Sequence, residues 1–234
     1  MRIVILTSDV TDWALQGWFC LLNKYWPEHP PVVVGGFTPP KFPLDAEFIR
    51  LGRFVDYPVT KWSDALIALL EAIPDEFFIW TMDDFWLLRR VDDRGVRLLW
   101  DYISSHSELA RIDLTADRVL AHGARDAGVL DHLQLITNEH PVPYLLSLQT
   151  GIWRKSALRA YLVPGESPWQ VELEGTTRML RAGANVLGTR EVPVRHLIAI
   201  QQGRLALDGG YQGEEYALSH EDEIELRQKG FLRS

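Results

Sequence analysis

The chain has 234 residues, of which 47% are hydrophobic and 24% charged, and its net charge is −8. This composition is that of a globular protein with a substantial core. The acidic balance argues against a large nucleic-acid-binding surface, which needs clustered lysine and arginine.

Processing and compartment signals are sparse. Cys20 is the single cysteine, so an intrachain disulfide is excluded. The N-terminal segment is too short and too soon interrupted by polar residues for a signal peptide. No apolar run approaches about 18 residues, so no transmembrane helix is expected. These features predict a cytoplasmic protein.

The first half of the sequence alternates between strand-like and helix-like segments. In chain order they are a strand at 2–9, a helix capped by Thr11 or Asp12 and stopped by Pro27, strands at 31–36 and 47–52, a helix at 60–74, a strand at 76–84, a helix at 92–106 and a strand at 109–115. β-branched apolar runs indicate the strands, and apolar residues at helical spacing indicate the helices. This order predicts an α/β fold with a mostly parallel sheet flanked by helices.

The second half is less regular. It contains a loop-rich segment at 122–143, a strand at 144–154 with a turn at Gly151, helices at 154–165 and 166–183, a strand pair or hairpin at 191–205, and a helix at 219–230. Ser167, Pro168 and Gln170 form the pattern of a capping box with proline at the first helical position. The chain has no internal repeat and no convincing linker, so a single domain is predicted.

Two adjacent carboxylates follow the most hydrophobic strand. Asp83 and Asp84 end the segment "FFIWTMDD", and buried carboxylates are normally paired, hydrogen-bonded or bound to a cation. Ligands of open α/β sheets bind at the carboxyl ends of strands, where "LTSD" of the first strand also lies. The pair therefore predicts a site for a divalent cation and a diphosphate, with a capped turn bridged to Arg89 or Arg90 as the alternative.

Four segments carry a resemblance to a known family. They are "VILTSD", "KWSDALIALLEAIPDEFFIWTMDDFWL", "LSLQTGIWRKSAL" and "PGESPWQVELEGT". Over about residues 1–205 the chain resembles the bacterial and phage glycosyltransferases of the GT-A fold, close to the family-2-like group. "MDDFWL" occupies the place of the D-x-D motif of that fold. Met82 stands where a strict D-x-D has its first aspartate, so the acidic pair is shifted by one position.

The resemblance implies a donor site for a nucleotide-diphosphate sugar with Mn²⁺ or Mg²⁺. Asp84 would ligate the metal, Asp83 would contact the metal, the ribose or the donor sugar, and His196 would be a further metal ligand. The remaining donor-binding residues that it implies are Ser8 and Asp9 for the nucleoside, Lys61 for the base or ribose, and Arg204 for the diphosphate.

The resemblance also implies an acceptor side. Transfer with inversion needs a base that takes the proton of the acceptor hydroxyl. Glu172 in the W-x-x-E pattern is the preferred base and Glu166 the second candidate. Trp169 would stack on a sugar, and Gln149 and Thr150 would form the floor of the acceptor site.

By the same resemblance, residues 1–115 form the nucleotide-sugar-binding half, 116–205 the acceptor and catalytic half, and 206–234 a C-terminal tail and helix. The acceptor would be a saccharide or another hydroxyl compound, with a modified DNA base less favoured by the acidic charge. Two alternatives stay open. One is a nucleotidyltransferase, although "LTSDVTDW" lacks a glycine-rich phosphate loop. The other is a non-catalytic module that binds nucleotides or sugars.

Overall fold

The computed structural model describes residues 1–139 and 142–232. Its helices are α1 (Ala14–Tyr25), α2 (Trp62–Ala72), α3 (Asp93–Ser105), α4 (Asp117–Leu120), α5 (Lys155–Tyr161), α6 (Pro168–Ala182) and α7 (His220–Gln228). Its strands are β1 (Ile3–Leu6), β2 (Val32–Gly36), β3 (Glu47–Arg50), β4 (Phe77–Met82), β5 (Phe85–Leu87), β6 (Leu109–Asp113), β7 (Ala124–Leu130), β8 (Leu133–Asn138), β9 (Gly151–Arg154), β10 (Asn185–Thr189), β11 (His196–Ile198), β12 (Ile200–Gln201) and β13 (Arg204–Leu205).

A nine-stranded sheet in the order β3-β2-β1-β4-β9-β6-β10-β8-β7 forms the centre of the fold. All its strands run in one direction except β8 and β9, which are antiparallel to their neighbours. Two small sheets are formed by β5 with β11 and by β12 with β13. The predicted α/β fold with a mostly parallel, mixed sheet is therefore confirmed.

Both faces of the sheet are covered by helices. In β1, Ile3 and Ile5 contact one apolar cluster, which is completed by residues of α1, α3 and α7. Val4 and Leu6 point to the other face, where α2, α5 and α6 complete a second cluster. This alternation is the two-residue period of a strand, and burial on both faces explains why β1 and β2 are apolar along their whole length.

The strand β9 determines what meets at the carboxyl edge of the sheet. It lies antiparallel between β4 and β6, with Gly151 opposite both Trp80 and Asp113. Residues that precede β9 therefore lie at the same edge as residues that follow β4 and β6. A side chain at Gly151 would meet the buried Arg111, at 2.9 Å from its Nε atom, so glycine is required for this close approach.

Three local predictions were wrong. Gly151 begins a strand instead of forming a turn, and residues 144–150 are not extended. The loop-rich segment contains the hairpin β7–β8, although its residues 140 and 141 lie outside the described part of the chain. The hairpin was missed because β7 is an exposed edge strand and its turn uses Asp131 at a φ of 56° instead of the glycine that commonly marks a tight turn.

Helix starts were predicted unevenly. At α6, Ser167 accepts the backbone N–H of Gln170, and the Gln170 side chain accepts that of Ser167, so the capping box is confirmed. At α1, the predicted cap at Thr11 or Asp12 was wrong, since the helix begins after Trp13 with no side-chain cap. The Thr11 hydroxyl donates to Asp83 instead. Among the described residues, no helix is long and apolar enough to cross a membrane.

Candidate active site

A cavity of about 360 Å³ opens where β1 and β4 end. These strands are parallel neighbours with Leu6 opposite Met82, so Thr7 and Ser8 lie beside Asp83 and Asp84. The cavity, called the donor cavity below, is lined by Leu6, Thr7, Ser8, Val10, Thr11, Phe37, Phe54, Tyr57, Val59, Trp62, Ala65, Met82, Asp83 and Asp84. Its size and mixed lining are typical of a small-molecule site.

One wall of the donor cavity is aromatic. The ring of Phe37 packs against Phe54 and Tyr57, with centroids 5.4 and 5.3 Å apart. Trp62 meets Trp80 edge to face; Trp80 is fully buried in the core, whereas Trp62 lines the cavity. The three rings were missed in the sequence. The available signal was the group of aromatic residues between a short strand and the next helix, each next to glycine, proline or a charged residue.

Asp83 is held by hydroxyl groups. Its Oδ2 atom accepts hydrogen bonds from Thr7 Oγ1 at 2.6 Å and from Thr11 Oγ1 at 2.7 Å. The Thr11 hydroxyl is itself in contact with Ser8 Oγ at 2.9 Å. Burial raises the pKa of Asp83 to about 6, and the hydrogen bonds from Thr7 and Thr11 oppose that rise. Asp83 is thus held in position, and its Oδ2 atom already accepts two hydrogen bonds.

Asp84 is the less satisfied member of the pair. Among the described residues, its buried Oδ1 atom has no hydrogen-bond partner. Burial, and then the charge of Asp83, hold the pKa of Asp84 well above its usual range. Its carbonyl oxygen accepts the N–H of Ala199 at 2.7 Å, which fixes the turn against the segment after β11. A buried carboxylate oxygen without a partner is costly and suits a site that binds a cation.

The acidic pair fits a divalent cation that takes most of its ligands from a substrate. Within 1–139 and 142–232, no three His, Cys, Asp or Glu side chains converge on a point that could hold a metal. The predicted ligands Asp83, Asp84 and His196 therefore do not form a ready three-ligand site. Mg²⁺ commonly uses only one or two protein carboxylates together with substrate phosphates and water, and Asp84 Oδ1 is the atom that such an ion would satisfy.

His196 is buried at the start of β11. Its ring stacks on Phe85, with centroids 4.2 Å apart, and its Nε2 atom donates to Gln149 Oε1 at 2.8 Å. Burial lowers the pKa of His196 to about 3, so the imidazole is neutral. Its buried Nδ1 atom has no partner among the described residues.

The two candidate bases have different environments. Glu166 forms a two-pronged ion pair with Arg178, at 2.8 and 2.7 Å. Glu172 accepts the backbone N–H of Leu148 at 2.8 Å, burial raises its pKa, and it is not among the residues that line the donor cavity. A carboxylate with a raised pKa is better suited to accept a proton than one held by a guanidinium.

Other predicted site residues divide into those near the two acids and those elsewhere. Asp9 is exposed and binds the backbone N–H and hydroxyl of Thr38. Lys61 is exposed immediately before α2, and Arg204 is exposed on β13. None of these three lines the donor cavity, whereas Ser8 does.

The three residues predicted to bind the acceptor lie in different surroundings. Gln149 lies at a second cavity together with His196. Thr150 is buried, and its hydroxyl meets that of Thr81 at 2.9 Å. Trp169 is 65% exposed at the start of α6, where its ring is available to a ligand but touches neither cavity.

Comparison with known proteins identifies the fold. No protein-family model matches the chain, and no curated protein matches its sequence. The structure of S. aureus TarS 1-349 matches with a TM-score of 0.52 at 14% identity, over 97% of this chain and 63% of that one. This chain thus spans less than two thirds of that structure.

Two further matches have lower scores. The galactosyltransferase LgtC in complex with donor and acceptor sugar analogs gives a TM-score of 0.41 at 12% identity, over 68% of this chain and 60% of that one. A 2-C-methyl-D-erythritol 4-phosphate cytidylyltransferase from Thermus thermophilus gives 0.40 at 12%, over 78% and 85%. The chain is a single α/β domain whose sheet and flanking helices are of the GT-A, Rossmann-like type.

Proposed function

We propose that the protein is a glycosyltransferase that moves a sugar from a nucleotide-diphosphate sugar to an acceptor hydroxyl, with inversion and with Mn²⁺ or Mg²⁺. The observation that carries the proposal is Asp84. Its buried Oδ1 atom has no hydrogen-bond partner among the described residues, and the side chain lies at the end of a central strand and at the wall of an aromatic-lined cavity. This combination suits a nucleoside in the cavity with its diphosphate next to Asp84.

The aromatic wall provides the nucleoside site. Phe37, Phe54 and Tyr57 present apolar faces, on which a base can stack. Thr7 and Thr11 hold Asp83, so its carboxylate stays in place when a donor binds. A bound divalent cation would be held by Asp84, with Asp83 beside it, and would offset the negative charge of the donor diphosphate.

Glu172 provides the base. In the reaction the acceptor oxygen forms a bond to the anomeric carbon, and the bond from that carbon to the diphosphate oxygen breaks with its electron pair. Glu172 accepts the proton of the attacking hydroxyl. The Glu172 carboxylate accepts the N–H of Leu148, just before Gly151, and Gly151 lies opposite Trp80 on the strand that leads to Asp84. This placement supports a donor diphosphate and an acceptor hydroxyl meeting at the same edge of the sheet.

A thermal-shift panel of nucleotide sugars with Mn²⁺ tests the donor. A ligand that binds only the folded state raises the midpoint by mass action, so we expect one nucleoside series to stabilise the protein and the metal to increase the shift. Hydrolysis of that donor, followed by release of nucleoside diphosphate, then tests for catalysis. The configuration of the released sugar, read by NMR immediately after release, tests for inversion.

The same measurements separate the alternatives. A nucleotidyltransferase would be stabilised by a nucleoside triphosphate and would release pyrophosphate in the presence of a sugar phosphate. A non-catalytic module would show the shift without turnover. If no nucleotide sugar shifts the midpoint or is consumed with Mn²⁺ or Mg²⁺ present, the proposed function is wrong.

A further inference from the structure

A second cavity has a volume of about 260 Å³. It opens between the end of β6 and the segments that follow β10 and β11, and it shares no lining residue with the donor cavity. Its polar lining residues include Asp117, Gln149, Arg195, His196, Tyr211 and Tyr216. We call it the acceptor cavity.

The acceptor cavity adjoins the acidic pair through His196. This residue lines the cavity and stacks on Phe85, which directly follows Asp84. Tyr211 is a largely exposed part of the same lining, and burial and then the charges of Asp84 and Glu172 raise its pKa. A ligand in the cavity would therefore lie against the ring of Tyr211.

The loop that carries Tyr211 is held in a defined conformation. The N–H of Tyr211 donates to Gln201 Oε1 at 3.0 Å, and Gln212 accepts the N–H of Ile198. Gly210 has a φ of 50°, and a side chain there would overlap Gln201. A mostly exposed aromatic ring on a fixed loop is a feature expected of a ligand-binding wall. Because the loop is already ordered, binding loses little further conformational entropy.

Asp117 is the carboxylate of the acceptor cavity. The hydroxyl of Ser147 donates to its Oδ2 atom, and no described residue donates a hydrogen bond to its Oδ1 atom. Its neighbour Asp113 is fully engaged by contrast, since it accepts from the backbone and hydroxyl of Thr115 at 3.1 and 2.8 Å and from the backbone of Arg118 at 3.1 Å.

The two buried arginines nearby do not bind Asp117. Nη2 of Arg111 donates to the carbonyl of Gln149 at 3.0 Å, and Nη2 of Arg118 donates to the carbonyl of Tyr144 at 2.6 Å. Their positive charges act on Asp117 from a distance. Asp117 therefore keeps one carboxylate oxygen for a ligand, and the two guanidinium groups partly balance its charge.

We propose that the acceptor cavity binds the acceptor as a single uncharged sugar ring, and that Asp117 accepts a hydrogen bond from one of its hydroxyls. This inference rests on the proposed function. Carboxylate and amide groups pair with neighbouring hydroxyls, as Asp117 and Gln149 could here, and tyrosine rings suit the apolar face of a sugar.

The size and charge of the cavity select the ligand class. A volume of about 260 Å³ is below the 300–1,000 Å³ of sites for drug-sized ligands, so one ring fits and a longer chain extends into solvent. The carboxylate of Asp117 disfavours an anionic group. The guanidinium of Arg195 lies 4.5 Å over the ring of Tyr216 within the same cavity.

The experiment uses the full chain, the nucleotide sugar that stabilises it most, Mn²⁺, and a panel of methyl glycosides of glucose, galactose and N-acetylglucosamine. Transfer to each glycoside and hydrolysis of the donor by water are measured separately. We expect at least one glycoside to saturate the wild type. Asp117→Asn should raise its KM by roughly tenfold or more.

Two more variants make the result specific. Tyr211→Ala should raise the same KM, and because this side chain is largely exposed the variant tests the cavity even if Asp117→Asn does not fold. Asp101→Asn, at an exposed position of α3, is the matched control and should leave KM unchanged. Equal KM values for wild type, Asp117→Asn and Tyr211→Ala would overturn the inference.

The inference and the proposed function fail in different ways. Absence of donor hydrolysis in the wild type contradicts the proposed function. Donor hydrolysis without saturable transfer to any glycoside contradicts the inference alone, as would a nucleic acid or a sugar phosphate that outcompetes every glycoside as acceptor.

Discussion

Thr7 and Asp83 are joined by a 2.6 Å hydrogen bond that connects the ends of two neighbouring parallel strands. Thr7 follows β1 and Asp83 follows β4, so the bond lies directly beneath the donor cavity. It orients Asp83, whereas the Oδ1 atom of the neighbouring Asp84 has no hydrogen-bond partner among the described residues. The two adjacent aspartates thus have different environments.

Thr7→Val tests this relationship, because valine keeps the shape of the buried side chain and removes the donor. We expect the free energy of unfolding to fall by about 1–3 kcal/mol, the usual effect of removing one partner of a hydrogen bond to a charged group. Urea denaturation measures the change. Thr60→Val, at an exposed position, is the control, and an equal effect of both substitutions would contradict the role given to Thr7.

Asp84→Asn should weaken binding of the nucleotide-sugar donor in the presence of Mn²⁺ more than it weakens binding of the bare nucleoside. The reason is that, in the proposed site, the lost carboxylate would face the diphosphate and its cation, whereas the nucleoside would lie against the aromatic wall. Calorimetric titration with both ligands gives the two affinities. Asp101→Asn provides the comparison, and equal donor affinity in wild type and Asp84→Asn would count against metal-assisted binding.

Glu172→Gln should lower the transfer rate by about 10²–10⁴-fold, the usual contribution of a general base, and should leave donor affinity intact. The amide cannot take the proton of the attacking hydroxyl but can still accept the N–H of Leu148. Steady-state kinetics with the donor and its best acceptor measures the rate. The base assignment is wrong if this variant transfers at the wild-type rate.

Glu166→Gln is the contrasting variant. Its carboxylate is held by Arg178, so we expect lower stability, by roughly 1–3 kcal/mol, with little change in rate. The thermal midpoint and the turnover number distinguish the two glutamates. A large loss of rate at unchanged stability would move the base from Glu172 to Glu166.

Asp117→Asn should become more stable relative to the wild type as pH rises. Burial and then the charge of Asp113 raise the pKa of Asp117 to about 6, above the value of about 3.9 in an unfolded chain. The folded state therefore binds more protons between these values, and wild-type stability from this group is lost as pH rises through them. Each pKa unit corresponds to about 1.4 kcal/mol.

Urea unfolding of both proteins at about pH 4 and about pH 7 measures this difference. The charges that face Asp117 come from Arg111 and Asp113 on β6, Arg118 on α4 and Glu172 on α6, and they are the same in both proteins. A stability difference that does not change with pH would show that Asp117 is not held at a raised pKa.

The alternation of strands and helices in the first half could be predicted because its core strands and helices are strongly apolar. β1, β2 and β4 are buried on both faces, and α2 has a clear stop at Pro74. β7 could not be predicted in this way because an exposed edge strand has no apolar period. β10 was also absent from the predicted elements, since glycine and polar residues interrupt "NVLGT".

The sequence predicted those site residues that form a recognisable local pattern. It could not predict relationships that depend on tertiary contacts. Adjacent acids after an apolar strand indicate a ligand site, and Asp83 and Asp84 lie there. Nothing in the local sequence shows that Arg178 engages Glu166, or that Asp117 and Tyr211, about 90 residues apart in the printed sequence, line one cavity. These relationships arise only when β6 and the segment after β11 reach the same edge.

The position of β9 between β4 and β6 has a consequence for altering the enzyme. Because this strand is hydrogen-bonded on both sides, its start is anchored independently of the residues that lead into it. The segment before Gly151 is tied to that frame as well, because the carbonyl of Leu148 accepts the indole N–H of Trp80 and the hydroxyl of Thr150 meets that of Thr81. Engineering of the proposed acceptor side is therefore best done by single substitutions at positions such as Ser147 and Gln149, with the backbone of this segment left as it is.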